Sequence, residues 1–138
     1  MSMFKIFDIA GSGMSAQTLR LNLVASNMAN ADSVSSSTGE TYRARQPIFA
    51  AQLQNAMQQN TGSSGVKVLG VVEDKSPLRM EHAPNHPMAN EEGYIFKPNV
   101  NVVEEMANMM SASRSYQNNV EVANTAKQLM LQTLRLGE

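Results

Sequence analysis

The chain has no cysteine and no tryptophan. The first absence excludes disulfides and thiolate metal sites, and leaves the compartment open. The second, with aromatic residues at only 5%, makes a dense self-made core hard to build. Charged residues are also scarce, at 17% against the ~25% usual in soluble domains. The net charge of −1 gives no strong attraction to nucleic acid or acidic lipid. No apolar run approaches the ~18–20 residues of a membrane span, so direct membrane insertion is not expected. The first residues, MSMFKIFDIAGSGMS, lack the cationic start and long apolar core of a cleaved signal peptide. A protein working outside the cytoplasm would then need another export route. What the chain does have is methionine, 11 in 138 residues. Methionine is an adaptable side chain, suited to surfaces that must fit several slightly different neighbours. The length suits one domain, or one domain with extended arms.

The stretch Asn101 to Leu136 reads as one long helix. Steps of four and three from Val102 visit Met106, Met109, Ser113, Tyr116, Val120, Ala123, Lys127, Met130 and Leu134. Most of these are apolar or aromatic, so one seam runs the length of the helix. Asn101 is a good N-cap and Glu104 stands where a capping box places its acid. Arg135 and Gly137 suit the other end. At 1.5 Å per residue the rod is roughly 50 Å long, more than a small globular domain needs. Near the N-terminus a similar spacing links Phe7, Ala10, Met14, Gln17, Leu21, Val24, Met28 and Ala31, and only Gln17 breaks it. The spacing predicts a helix from Met14 to Asn30, with a weaker helical signal over the dozen residues before it. Gly11, Ser12 and Gly13 weaken the turns before it, each glycine by about 1 kcal/mol. Between Ile6 and Ala31 the only charges are Asp8 and Arg20. The C-terminal helix likewise carries Asn, Gln and Ser where Lys and Glu are expected on a wet face. Neutral amides accept burial at lower cost than charges, so these faces too are expected to be covered in the working state.

Between the helices, residues 32–39 (DSVSSSTG) read as a serine-rich linker. Tyr42 to Phe49 has extended character, with Pro47 confining it to an edge strand or arm. Phe49 to Gln58 suits a short helix, and Gln59 to Gly65 a loop tip. Val66 to Glu73 is the best strand pattern in the chain. Asp74 to Pro98 is loop-like, with short strands at Leu78 to Met80 and Tyr94 to Lys97. The expected fold is mainly α with a small β-rich middle. Its terminal helices pair in a coiled-coil-like hairpin flanking a short β/loop segment. The organisation is residues 1–32 and 99–138 for the two helical arms and 33–98 for the middle.

Candidate chemistry is thin. Glu104 and Glu105 are adjacent carboxylates, but helix neighbours point about 100° apart and both belong to the capping turn. His82 and His86 are four apart, yet Pro84 between them opposes the helix that a metal pair at this spacing needs. No nucleophile elbow or phosphate loop is present: Gly11-Ser12-Gly13 lacks the preceding strand and the lysine. No enzyme, cofactor or metal site is expected.

Several stretches resemble a known family. LNLVASNMANADS, Leu21 to Ser33, is similar to the stretch near the start of bacterial flagellar rod and hook proteins, where a helix ends in an Ala-Asn-rich turn. Here a serine run leads on to Thr41-Tyr42 in place of the usual Thr-Pro-Gly-Tyr. VVEDKSPLR (Val71 to Arg79), PNHPMANEEGY (Pro84 to Tyr94) and KPNVNVVEEM (Lys97 to Met106) resemble the proximal-rod members of that family. The resemblance implies a structural subunit that leaves the cell unfolded through the flagellar type III export apparatus, without a cleaved signal, and assembles in the periplasm. Its partners would be other rod proteins and copies of itself. Its terminal helices would pack into the inner tube and its middle would brace it. The interface residues expected from the two seams are Met14, Leu21, Val24, Met28, Asn30, Val102, Met106, Met109, Tyr116, Val120, Ala123, Met130 and Leu134. The alternative is a secreted helical-hairpin module, an effector or adaptor without catalysis.

Overall fold

The computed structural model describes residues 3–52 and 65–137. The order of elements is α1 (Met3–Ala29), β1 (Arg45–Gln52), β2 (Gly65–Glu73), β3 (Arg79–His82), β4 (Tyr94–Lys97) and α2 (Val102–Leu136). The two helices frame a small β-rich middle, as expected from the sequence.

Helix α2 starts where its cap dictates. The Asn101 side chain accepts from the Val103 and Glu104 amides, and the Asn101 carbonyl takes the first helical bond from Glu105. At the far end the Gly137 amide donates to the Leu134 carbonyl. Helix α1 includes the weakly helical first residues as well. It runs from Met3 through Gly11, Ser12 and Gly13 without interruption. Packing outweighs propensity here, because the glycine that weakens the helix is also what lets α2 approach. A Cβ at Gly13 would lie 2.8 Å from the Asn119 side-chain nitrogen. Ser12 is used as well: its hydroxyl donates to the Ile9 carbonyl and accepts the Val66 amide. At the end of α1 the Asn30 side chain donates to the Ser26 carbonyl. The Asn30 carbonyl accepts both the amide and the hydroxyl of Ser33, which turns the chain out of the helix.

The helices pack antiparallel, with Gly13 facing Asn119 and Arg20 facing Asn108. At 1.5 Å per residue α1 is about 40 Å long and α2 about 52 Å, so the C-terminal end of α2 extends past the start of α1.

β1 and β2 form an antiparallel ribbon from Arg45↔Glu73 to Gln52↔Gly65. Ile48 pairs with Gly70 and Phe49 with Val68, so Leu69 is the extra residue of a bulge. The helix expected from Phe49 is replaced by strand as far as Gln52; the rest of that segment, and the loop tip before Gly65, lie outside the described residues. Pro47 is tolerated because a two-stranded ribbon has a free edge. β3 and β4 form a second hairpin, Arg79↔Lys97 to His82↔Tyr94. Nor is the serine stretch a free linker. Ser35 exchanges both backbone bonds with Phe96, and its hydroxyl meets Thr41 Oγ1 at 2.6 Å. A small core of Ala31, Ala44 and Val100, with Tyr42 against it, sits where the helices, ribbon and hairpin meet.

Candidate assembly interface

The junction is built around Asn27, which is 1% exposed on the last turns of α1. Its amide nitrogen donates to the Arg45 carbonyl at 2.9 Å. Its amide oxygen accepts the Arg45 N–H at 2.9 Å and the Tyr42 hydroxyl at 2.8 Å. The side chain therefore pairs with the first residue of β1 as a neighbouring strand would, and ties the ribbon to the helix. Asn99 does the same from the other side: it accepts the Ala44 amide and donates to the carbonyls of Asp74 and Ser76. Arg79 spans the gap, donating to the carbonyls of Pro98, Ala31 and Val100. Short amides and one guanidinium satisfy the buried backbone where four segments converge.

Glu105 completes the node. The sequence places it in an exposed capping turn beside Glu104; the structure buries it, at 5% exposure, while Glu104 stays exposed. One of its carboxyl oxygens is buried without a hydrogen-bond partner. Burial is the largest influence on the carboxyl and pushes its pKa up. Asn27 pulls it down, the neighbouring Glu104 charge raises it, and Arg20 lowers it. Arg20 does not pair with it directly: its guanidinium donates to Asn108 Oδ1 at 3.0 Å.

Further along the hairpin the contact is made by small side chains. Ala10, Gly13 and Ala16 of α1 and Ala112 and Ala126 of α2 are buried. The buried column of α2 is Glu105, Ala112, half-buried Asn119 and Ala126, seven residues apart. That column lies beside the apolar seam expected from the sequence. The shift has a steric reason: small residues allow close backbones, and the larger ones cannot occupy the gap. The large apolar side chains consequently turn outward. Met106 is 53%, Met110 63% and Leu134 65% exposed, and Val103, Val122, Leu129, Leu131 and Leu136 are exposed with them. Of the expected interface residues, Val24 alone is fully buried within the chain. Met14, Leu21, Met28, Asn30, Met109, Val120, Ala123 and Met130 are half-buried at the margins of the helix contact. Val102, Met106, Tyr116 and Leu134 face outward.

The histidines have structural surroundings. The His82 ring lies 5.0 Å from that of Tyr94, and His86 Nδ1 accepts the Met88 amide. Among the described residues no cluster of acids and histidines forms a metal site, and no helix is long and apolar enough to cross a membrane.

The comparisons with known proteins bear on this frame of two helices and a knitted middle. The family model described as flagella basal body rod protein matches residues 7–35, and that described as flagellar basal body rod FlgEFG protein C-terminal matches residues 91–136. Over all 138 residues the chain is 53% identical to the flagellar basal-body rod protein FlgC of Salmonella typhimurium, covering the whole of both. The chain belongs to the FlgC family of flagellar basal-body rod proteins. The likeness reaches distant bacteria. FlgC of Buchnera aphidicola (from Acyrthosiphon pisum) is 45% identical over the full length of both chains. FlgC of Borreliella burgdorferi is 34% identical, with 99% of this chain and 98% of that one covered. The two family matches fall on α1 with its Asn27–Ser35 exit and on β4 with α2. These are the segments that meet at the junction. As a member of the FlgC family the chain is a structural component of the basal-body rod. The effector or adaptor reading is not favoured.

Proposed function

We propose that this rod subunit polymerises through its terminal helices, which form part of the inner tube of the proximal rod and carry motor torque along it. The junction and the two β-hairpins brace that tube from outside. The single observation that supports this is the inverted packing of the hairpin. Its inner contact uses alanine and glycine, while methionines and leucines point away from the molecule. Covering each such side chain is worth on the order of 2 kcal/mol. Several together offset the freedom lost on association. Contacts between different faces of identical or similar subunits generate an open helix rather than a closed pair, which is what a rod requires. The partners are other rod proteins and further copies of this chain. Export through the flagellar type III apparatus, without a cleaved signal, and assembly in the periplasm complete the reading.

The absence of native cysteine makes a clean test. Met110→Cys and Leu134→Cys each introduce a unique thiol on the outward face. In purified basal bodies both should resist maleimide, which labels them freely in the lone protein. A thiol that labels as freely in the assembled rod as in the lone protein overturns the proposal. A stable, closed dimer of the lone protein would instead support a secreted hairpin module.

A further inference from the structure

We propose that Glu105 enters the contact between α1 and α2 as the neutral acid, so that closing the helical hairpin takes up a proton. The geometry is unusual for a residue one turn from a helix start. Glu104, its neighbour, is exposed and free to serve the helix dipole, whereas Glu105 turns into the gap against α1. There it is 5% exposed, with one oxygen that no donor reaches. An orphaned buried oxygen is far less costly on a neutral carboxyl than on a carboxylate.

The surrounding groups do not supply a compensating charge. From α1, Arg20 is the cation that faces the site, and its guanidinium is committed to Asn108 Oδ1 rather than to the carboxylate. Asn27, also from α1, serves Arg45 and Tyr42 and lowers the Glu105 pKa by a side-chain hydrogen bond, but it is a neutral donor and brings no charge. From α2, Glu104 adds a like charge next door. Beyond Asn27, the Arg45 guanidinium is directed to Glu73, with Nε 3.6 Å from the carboxylate, and lies 5.5 Å from the centre of the Tyr42 ring. Burial accordingly outweighs the lowering by Asn27 and Arg20 and favours the neutral acid.

The sign follows directly. The folded state binds the proton more tightly than the open chain. Closure is therefore unhindered below the ordinary glutamate value, near pH 4.3. It weakens as pH rises through the elevated folded value, by up to about tenfold per pH unit within that window. The inference concerns a single chain and stands apart from the assembly proposal.

The test uses the full-length protein in urea unfolding followed by helix circular dichroism from pH 4 to 8. Glu105→Gln keeps the shape and removes the proton. It should match the wild type at pH 4 and exceed it progressively as the pH rises above the ordinary glutamate range. Every other ionisable group is common to both proteins and cancels in the comparison. Equal pH slopes in the two proteins, or a pH-independent deficit in the Glu105→Gln variant, would overturn the proposal. Carbon-13 detection of the Glu105 carboxyl gives a second reading that does not depend on a variant folding. A midpoint above the usual glutamate range supports the inference, and a midpoint within or below it sinks it.

Discussion

The junction and the distal hairpin are built on opposite logics. At the junction Asn27, Asn99 and Arg79 satisfy backbone groups from four segments, and the small apolar core of Ala31, Ala44 and Val100 is closed by Tyr42. Everything needed there comes from one chain. Along the distal hairpin the inner face is thin, made of Ala10, Gly13, Ala112 and Ala126, and the bulky apolar residues lie outside. One region is complete alone; the other leaves its bulky apolar side chains uncovered. A subunit that must be shaped before it joins a rod, yet hold fast once joined, needs both kinds.

The sharpest way to break this contrast is a charge on the outer face. Met110→Asp should leave the unfolding free energy of the lone chain within about 0.5 kcal/mol, since the side chain is already exposed. It should abolish rod assembly and motility, because the charge is buried unpaired when a neighbour arrives. Swarming on soft agar and urea unfolding check the two halves; motile cells, or a destabilised monomer, would erase the distinction. Next comes the junction itself. Asn27→Ala leaves the part-buried Arg45 N–H and carbonyl, and the Tyr42 hydroxyl, without these partners. The expected loss is about 3 kcal/mol. It should appear in the lone chain by denaturant unfolding, without any neighbour present.

Much of this is legible in the sequence, for reasons that particular residues make plain. Asn101 announces α2 because a short amide at an N-cap is a local device. Val66 to Glu73 reads as a strand because β-branched side chains fit a pleated, half-exposed surface. Gly13 misleads for a physical reason: intrinsic propensity sees only the cost of a glycine, whereas its benefit lies far along the chain, at Asn119. Ser35 misleads similarly, since its partner Phe96 is remote in sequence. The seam of α2 is visible in the sequence, but the buried column lies beside it. Hydrophobicity ranks methionine above alanine, and a close helix contact prefers the reverse. The spacing of Glu105, Ala112, Asn119 and Ala126 at sevens is the available signal, and the carboxylate at its head disguises it. The role of Asn27 has no local signal, because most of its partner atoms are backbone groups of another segment.

A smaller effect sharpens the hairpin side of the contrast. Gly13→Ala gains about 1 kcal/mol of helix propensity. It also drives a methyl group to 2.8 Å from the half-buried Asn119 side chain, which must turn aside or part the helices. The overlap should win by about 1 kcal/mol. Adding Asn119→Ala removes the obstacle, so the double variant should be more stable than either single one and at least equal to the wild type. Thermal unfolding of the four proteins reads the coupling. Additive changes would mean that Gly13 is not placed for close approach.

The smallest expected effect lies on the β3–β4 hairpin, outside both regions. Lys97 Nζ bonds the Glu81 carboxylate across the strands, between the pairs Arg79↔Lys97 and Glu81↔Ile95. That bond, with the charge behind it, holds the Glu81 pKa below its ordinary value. The sign is therefore the reverse of that at Glu105. Any contribution is present above the ordinary glutamate range and fades as the pH falls. Both side chains are solvated, and surface pairs of this kind are screened by salt. Glu81→Gln should give an unfolding curve indistinguishable from the wild type at physiological salt, and leave rod assembly intact. A clear loss of motility in that variant would mean that the hairpin touches a neighbour. The division between a self-sufficient middle and an open helical face would then have to be redrawn.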